Sequence, residues 1–357
     1  MKRLFLLTVF ISVSHAKTPS DYLYQKGPCP IGSDIVWWTE AGFDACIGML
    51  LEMGTRVDRV NEKEQTALMK ASEHGHLHIA ERLIAAKASI NLVDSTGASA
   101  LTYAVENNNP KIARILLQKK ASIRIAQQNR DPLIMIAGRN SNLEMISILV
   151  DYGISVDQKN KKGFNALLEA AAREDHETLF YLLKKGANIN ARDPYGETAL
   201  MYAVRSGDLE QVKTLVQKGA QINFINKMGM SPLSMVVSRG YLPILEYFFK
   251  KGVQLKIKDR AGETPLSLAA MNGHQSVVEF LIRHGAQVNS KNNSGKTPLM
   301  WAATRSHRNV VRTLIQYGAK INLKDVRGKT AMTDAMKSGD QETIALLKLW
   351  GAKEFSY

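Results

Sequence analysis

The sequence predicts an all-α solenoid of about ten helix-turn-helix units, each 33 residues long. The first observation behind this prediction is a glycine that recurs at intervals of 33 residues or a multiple of 33. It occupies the positions Gly54, Gly153, Gly186, Gly219, Gly252, Gly285, Gly318 and Gly351. Lys87 and Lys120 hold the two intervening positions in the same register. The register runs through ten positions without an insertion, which chance does not produce.

The second observation is a recurrent residue that opens the first helix of each unit. It occurs as Thr66, Ser99, Pro132, Asn165, Thr198, Ser231, Thr264, Thr297 and Thr330. Five residues later comes a small residue that lets paired helices approach closely: Ala71, Ala104, Ala137, Ala170, Ala203, Val236, Ala269, Ala302 and Ala335. A polar loop with its own glycine precedes the opening residue, and its shared acids Asp193, Asp259 and Asp325 are predicted to form turns.

The unit that starts at Thr198 illustrates the predicted helices. The first covers residues 198–206 and the second residues 209–218. Leu200 and Val212 belong to apolar positions that recur at helical spacing, which predicts one apolar stripe on each helix. The stripes of neighbouring units would pack into a continuous core.

The turn after each second helix favours a left-handed residue, which glycine supplies at little cost. Lys87 and Lys120 must adopt that conformation with a side chain or distort the turn. The penalty is about 1 kcal/mol for each lysine. We therefore expect the second and third units to be softer than the others.

Two of the repeated segments show a family resemblance. Residues 264–269 read Thr-Pro-Leu-Ser-Leu-Ala and residues 297–302 read Thr-Pro-Leu-Met-Trp-Ala. Both are close to Thr-Pro-Leu-His-x-Ala, the signature of the 33-residue ankyrin repeat, which the chain resembles over residues 33–357. The resemblance is specific for the fold and says almost nothing about the ligand. It implies that partners bind a concave face made of the loop tips and the exposed side of each first helix.

The N-terminal region divides into two predicted segments ahead of the array at residues 55–357. Residues 1–16 resemble a secretory signal, with Lys2 and Arg3, a short apolar run, and small residues before a cleavage site after Ala16. The run is too short for a transmembrane helix, and we expect no membrane insertion. Residues 17–54 are predicted to be a lead-in followed by a degenerate capping repeat.

The only two cysteines, Cys29 and Cys46, lie in that lead-in and cap. An exported chain meets an oxidising compartment, so the pair is predicted to form a disulfide. Two buried free thiols are the alternative.

No catalytic, cofactor-binding or metal-binding pattern is evident, so the sequence predicts a protein that is not an enzyme and needs no cofactor. The sequence contains no phosphate loop, no Gly-x-Ser-x-Gly and no zinc-type spacing. His76 shares its position with residues that start second helices, which leaves an adventitious metal site at His74 and His78 as the alternative.

Positions that vary between units are free to contact a partner. Removing Lys2 and Arg3 from the formal net charge of +14 leaves 14 − 2 = +12, which favours an acidic partner, although a lysine-rich soluble surface is equally consistent with it. Arginine, aromatic residues and methionine are enriched at interface hot spots. The predicted protein-binding residues are Arg139, Lys161, Lys162, Phe164, Arg173, Tyr195, Arg205, Lys227, Met228, Met230, Arg239, Arg260, Met271 and Trp301.

Export together with the repeats resembles bacterial periplasmic ankyrin proteins that restrain or protect enzymes. The resemblance implies a monomeric periplasmic or secreted protein that binds and inhibits an acidic-surfaced envelope enzyme, with a cell-wall peptidase favoured. The alternatives are an adaptor or scaffold, a partner of a periplasmic catalase, a secreted host-directed effector and a binder of polyanions. The export signal counts against nucleic acid as the partner.

Overall fold

The computed structural model describes residues 34–123, 131–255 and 258–353. Over these residues the structure is made of helices and contains no strand, only isolated bridges such as Val60 with Thr66. The predicted all-α class is therefore confirmed. The chain divides into two compact units, unit 1 at Met1–Gln128 and unit 2 at Asn129–Tyr357.

Unit 1 contains three helix pairs among its described residues. They are α1 (Ile35–Glu40), α2 (Asp44–Glu52), α3 (Ala67–His74), α4 (Leu77–Ala85), α5 (Ala100–Glu106) and α6 (Pro110–Gln118). The first helices α1, α3 and α5 pack against one another in sequence, and so do the second helices α2, α4 and α6.

Unit 2 contains seven helix pairs among its described residues. They are α7 (Leu133–Arg139), α8 (Leu143–Asp151), α9 (Ala166–Ala172), α10 (His176–Lys184), α11 (Ala199–Ser206), α12 (Leu209–Gln217), α13 (Pro232–Arg239), α14 (Leu242–Lys250), α15 (Pro265–Met271), α16 (Gln275–Arg283), α17 (Pro298–Thr304), α18 (Arg308–Gln316), α19 (Ala331–Ser338) and α20 (Gln341–Leu349). The odd-numbered first helices pack side by side in chain order, each also contacting the second helix of its own pair.

The recurrent opening residue is the N-cap of the first helix, as the sequence predicts. The hydroxyl of Thr198, for example, accepts a hydrogen bond from the backbone N–H of Met201. Pro132 is the exception, because it has no side-chain acceptor for the helix α7 that it precedes. The small residue five positions later is buried in all nine pairs from α3 to α20, with Ala203 fully enclosed, and this allows the first helices to pack closely.

The residue before the second helix starts that helix in some repeats and contacts the preceding repeat in others. Asp175 and Asp208 cap their helices in the ordinary way. His274 and His307 do not; each imidazole Nε2 lies within hydrogen-bond distance of a carbonyl oxygen in the preceding repeat. The prediction that this position suits a helix start is confirmed, and its histidines also join one repeat to the next.

Lys87 and Lys120 adopt the left-handed conformation that the sequence analysis requires of them. Their φ angles are 65° and 62°, close to the 80° of Gly54 at the equivalent turn. The backbone turn is thus kept in unit 1, and the two lysines carry the strain of a side chain in that region.

The degenerate first repeat is a helix pair, α1 and α2. Trp37 and Trp38 lie on α1, and Cys46 is buried in α2. Cys29 and the predicted signal at residues 1–16 lie outside the described residues, so the disulfide, the cleavage site and the predicted segment boundaries stay predictions.

Candidate protein-binding surface

Each polar loop of unit 2 is a tight turn built around one side chain. In the loop before α11, Asp193 Oδ1 accepts hydrogen bonds from the backbone N–H groups of Tyr195 and Glu197, both at 2.8 Å. Asp259 and Asp325 make the equivalent pair of bonds in their own loops. The prediction that these three acids form turns is confirmed. The turn fixes the two tip residues that precede the loop glycine.

Neighbouring loop tips are tied together through their backbones. The N–H of Lys227 donates to the carbonyl oxygen of Tyr195 at 2.8 Å, and the N–H of Val326 donates to that of Ser294 at 3.1 Å. Pro194 has no N–H to donate. Its ring packs closely on Gly163 of the preceding loop, so that a Cβ added to this glycine would be 2.8 Å from the ring. The tips are therefore held in fixed relative positions within unit 2.

The structure places six of the predicted binding residues at these tips, all exposed. We call them the tip cluster: Lys161, Lys162, Tyr195, Lys227, Met228 and Arg260. Tyr195 is 63% exposed and Met228 75% exposed, so neighbouring turns place two large apolar side chains at the surface. Phe164 and Met230 follow the tips and are half-buried.

The charge of the tip cluster is positive because the acids of these loops face inward. Asp193 is 6% exposed, and its carboxylate is occupied by two backbone N–H groups and by the Tyr202 hydroxyl at 2.8 Å. The lysines and the arginine of the cluster face outward on neighbouring loops. The result is an exposed apolar side chain on each of two adjacent tips, with exposed cations on the same or neighbouring loops.

The predicted arginines on the first helices are largely committed to partners within the chain. Arg139 forms an ion pair with Asp131 and approaches Glu169 at 3.8 Å, while Arg205 forms an ion pair with Glu197. Burial raises the pKa of Glu169, against the opposing effect of Arg139. These guanidinium groups are therefore less available to a partner than their sequence positions suggest.

The remaining predicted residues lie in varied surroundings. Arg173 is exposed and donates to the carbonyl oxygen of Arg139 at 2.6 Å, and Arg239 is exposed at the end of α13. Met271 and Trp301 are half-buried on α15 and α17. The assignment of all fourteen residues to partner binding stays a prediction.

Three acids lie two residues before the first helices α7, α11 and α15, and the sequence analysis did not identify them. Asp131, Glu197 and Glu263 are separated by 66 residues, so alignment of the repeats contained the signal. Glu263 is 5% exposed, and its Oε1 accepts from Trp301 Nε1 at 2.9 Å and from the amide of Asn292. Burial raises the pKa of Glu263, and these hydrogen bonds oppose that effect.

Comparison with protein families identifies the chain. A family model of ankyrin repeats in three copies matches residues 37–129, 123–193, 170–259, 233–325 and 290–354. The chain belongs to the ankyrin-repeat family, whose members are generally modules for protein–protein interaction and typically not catalytic. No curated protein shows significant similarity to the chain.

Two further observations concern the described residues only. Within residues 34–123, 131–255 and 258–353, no three His, Cys, Asp or Glu side chains are grouped in a way that could hold a metal ion. In the same part of the chain, no helix combines the length and the apolar composition needed to cross a bilayer.

Proposed function

We propose that this chain is a non-catalytic, exported binding protein that uses the tip cluster of unit 2 to grip an acidic protein surface. The observation that carries the proposal is the pair Tyr195 and Met228, exposed on tips that are hydrogen-bonded to each other. Because the backbone of these tips is already held by hydrogen bonds, binding has to order only the side chains, so a partner keeps more of the free energy of burying them. Such residues are typical interface hot spots.

We further propose that the partner is an enzyme of the cell envelope and that binding inhibits it, with a cell-wall peptidase favoured. Support comes from the signal-like residues 1–16 and from the resemblance to exported ankyrin proteins that restrain enzymes. The cationic rim of the tip cluster suits an acidic rim around an active-site cleft and would speed association.

The test is affinity capture from an envelope extract with the exported chain as bait, followed by an activity assay of each captured enzyme. The double variant Tyr195→Ser with Met228→Ser is compared with the control Val326→Ser. Val326 is 71% exposed at another tip of unit 2, outside the cluster, so its loss removes an apolar tip without touching the proposed site.

The proposal predicts that capture survives in the control and falls at least tenfold in the double variant, because a hot spot contributes about 2 kcal/mol or more. A captured enzyme should also lose activity as bait is added. Capture without inhibition would support an adaptor or scaffold in place of an inhibitor. Capture of polyanions alone, with binding that collapses as salt is raised, would contradict the protein-binding assignment.

A further inference from the structure

A largely apolar cleft lies beside Glu263, between two neighbouring loops of unit 2 and the starts of α13 and α15. Its walls include Ile225 and Ser231 from one repeat and Asp259 and Glu263 from the next. The cleft has a cavity volume of about 60 Å³, so an entering side chain has to widen it.

One oxygen of the Glu263 carboxylate has no hydrogen bond at ordinary geometry. Its Oε1 accepts from Trp301 Nε1 and from the Asn292 amide, and the nearby Ser267 hydroxyl also helps to lower the carboxyl pKa. Oε2 is buried and has no hydrogen-bond partner at bonding distance among the described residues. A buried carboxylate oxygen without a partner is unfavourable, because it has lost its water without gaining a donor. A hydrogen-bond donor from another molecule would therefore bind this oxygen favourably.

The nearby lysines do not neutralise Glu263. The Lys258 ammonium, at the wall of the cleft, donates instead to the Lys291 carbonyl oxygen at 2.9 Å. The Lys296 ammonium lies 4.4 Å from the centre of the Trp301 ring and pairs with Asp334 at 3.1 Å. Among the described residues, none forms an ion pair with Glu263.

The equivalent acids in two other repeats, Asp131 and Glu197, each pair with an arginine that Glu263 lacks. Asp131 and Glu197 each form an ion pair with an arginine eight residues further along, Arg139 and Arg205. In the Glu197 pair the arginine binds Oε2, while Oε1 lies 3.3 Å from the amide nitrogen of the next repeat's Asn226. Eight residues after Glu263 the chain has Met271 in place of an arginine.

We propose that the cleft at Glu263 takes an arginine side chain of the protein partner, whose guanidinium supplies the charge that Arg139 and Arg205 supply within their own repeats. A guanidinium matches a carboxylate in shape and donates several hydrogen bonds at once. Met271 is half-buried and uncharged, so it leaves the Glu263 carboxylate without a cation from its own repeat. The proposal rests on the proposed function, since the arginine comes from that partner.

The experiment uses a small probe so that its result does not depend on finding the partner. N-acetyl-arginine methylamide is titrated into the full chain, and the indole N–H resonance of Trp301 is followed by NMR, because that N–H donates to Glu263. The matched control ligand is N-acetyl-norleucine methylamide, which lacks the charge. The variants are Glu263→Gln, Met271→Arg and the control Met271→Leu, each checked for folding by its thermal transition.

We expect a saturable shift with the arginine probe in the wild-type chain and in Met271→Leu, at millimolar probe, and none with the norleucine probe. Glu263→Gln should weaken probe binding at least tenfold, and Met271→Arg should abolish it by supplying the arginine from within the chain. No saturable shift in the wild type, or an equal shift in Met271→Arg, would overturn the proposal.

The tip variants separate this inference from the proposed function. The double variant Tyr195→Ser with Met228→Ser should bind the arginine probe as the wild type does. If the probe binds but no protein is captured, the proposed partner fails and the chemistry of the cleft stands. If a protein is captured equally well by Met271→Arg, the arginine assignment fails and the proposed function stands.

Discussion

Replacement of Asp193 tests whether one side chain holds the loop that presents Tyr195. Its carboxylate receives the N–H groups of Tyr195 and Glu197 on one oxygen and the Tyr202 hydroxyl on the other. Asp193→Ala removes all three bonds at a position that is 6% exposed. Asp193→Asn keeps an oxygen for the two backbone groups, since Asn226 forms the same two bonds in the next loop.

The number of hydrogen bonds lost sets the relative size of each effect. A hydrogen bond to a charged group contributes about 1.5–3 kcal/mol, and some of that is recovered by water at an exposed tip. We therefore expect Asp193→Ala to lower the free energy of unfolding by about 3 kcal/mol and Asp193→Asn by about 1 kcal/mol. The control Asp325→Ala removes only the bonds to the N–H groups of Arg327 and Lys329, and should cost about 1–2 kcal/mol.

Urea denaturation of the full chain, followed by circular dichroism, measures these free energies. A spectrophotometric titration adds a second readout: burial and the bond to Asp193 hold the pKa of Tyr202 above its ordinary value, and Asp193→Asn should lower it. Equal losses of stability in Asp193→Ala and Asp193→Asn would refute the reasoning, because the turn would then depend on the charge and not on the acceptor oxygen.

Three further predictions concern backbone strain and pH. Gly240→Ala should lower the melting temperature clearly more than Gly252→Ala, because both glycines are left-handed but a Cβ at Gly240 would be 2.5 Å from an imidazole whereas the space at Gly252 is open. Lys87→Gly should raise the free energy of unfolding by about 0.5–1 kcal/mol by relieving left-handed strain, and a loss of stability in urea would contradict this. The hydrogen bond from Arg308 lowers the pKa of Asp340 from its ordinary value of 3.8 to about 2. The ion pair therefore stabilises the fold fully above pH 3.8, and this stabilisation is lost as the pH falls from 3.8 towards 2. Arg308→Ala should remove that part of the pH dependence of the urea midpoint.

The scaffold could be predicted from the sequence because its constraints repeat. Thr198 and its counterparts cap helices locally, and the left-handed turn at Gly186 depends on one residue. Such features need only a few neighbouring residues, so a periodic sequence displays them directly. Even the exceptional lysines at the turn positions kept the backbone that the register requires.

The surface was less predictable because its side chains pair both within a repeat and across repeats. Arg205 is of a residue type that is common at hot spots, yet its side chain is paired with Glu197, eight residues before it. Glu263 was not among the predicted binding residues, although Trp301, 38 residues further along the chain, donates a hydrogen bond to it. Pairing of this kind depends on how loops and first helices pack, which the sequence of a single repeat does not reveal.

Site-specific photo-crosslinking tests the central claim, that the loop tips of unit 2 bind another protein. A photoreactive phenylalanine analogue replaces Tyr195 in one chain and Val326 in a matched chain, and each is irradiated in an envelope extract. The account predicts a discrete protein adduct at position 195 and none at position 326. No protein adduct at position 195, or the same adducts in equal yield at both positions, would contradict it.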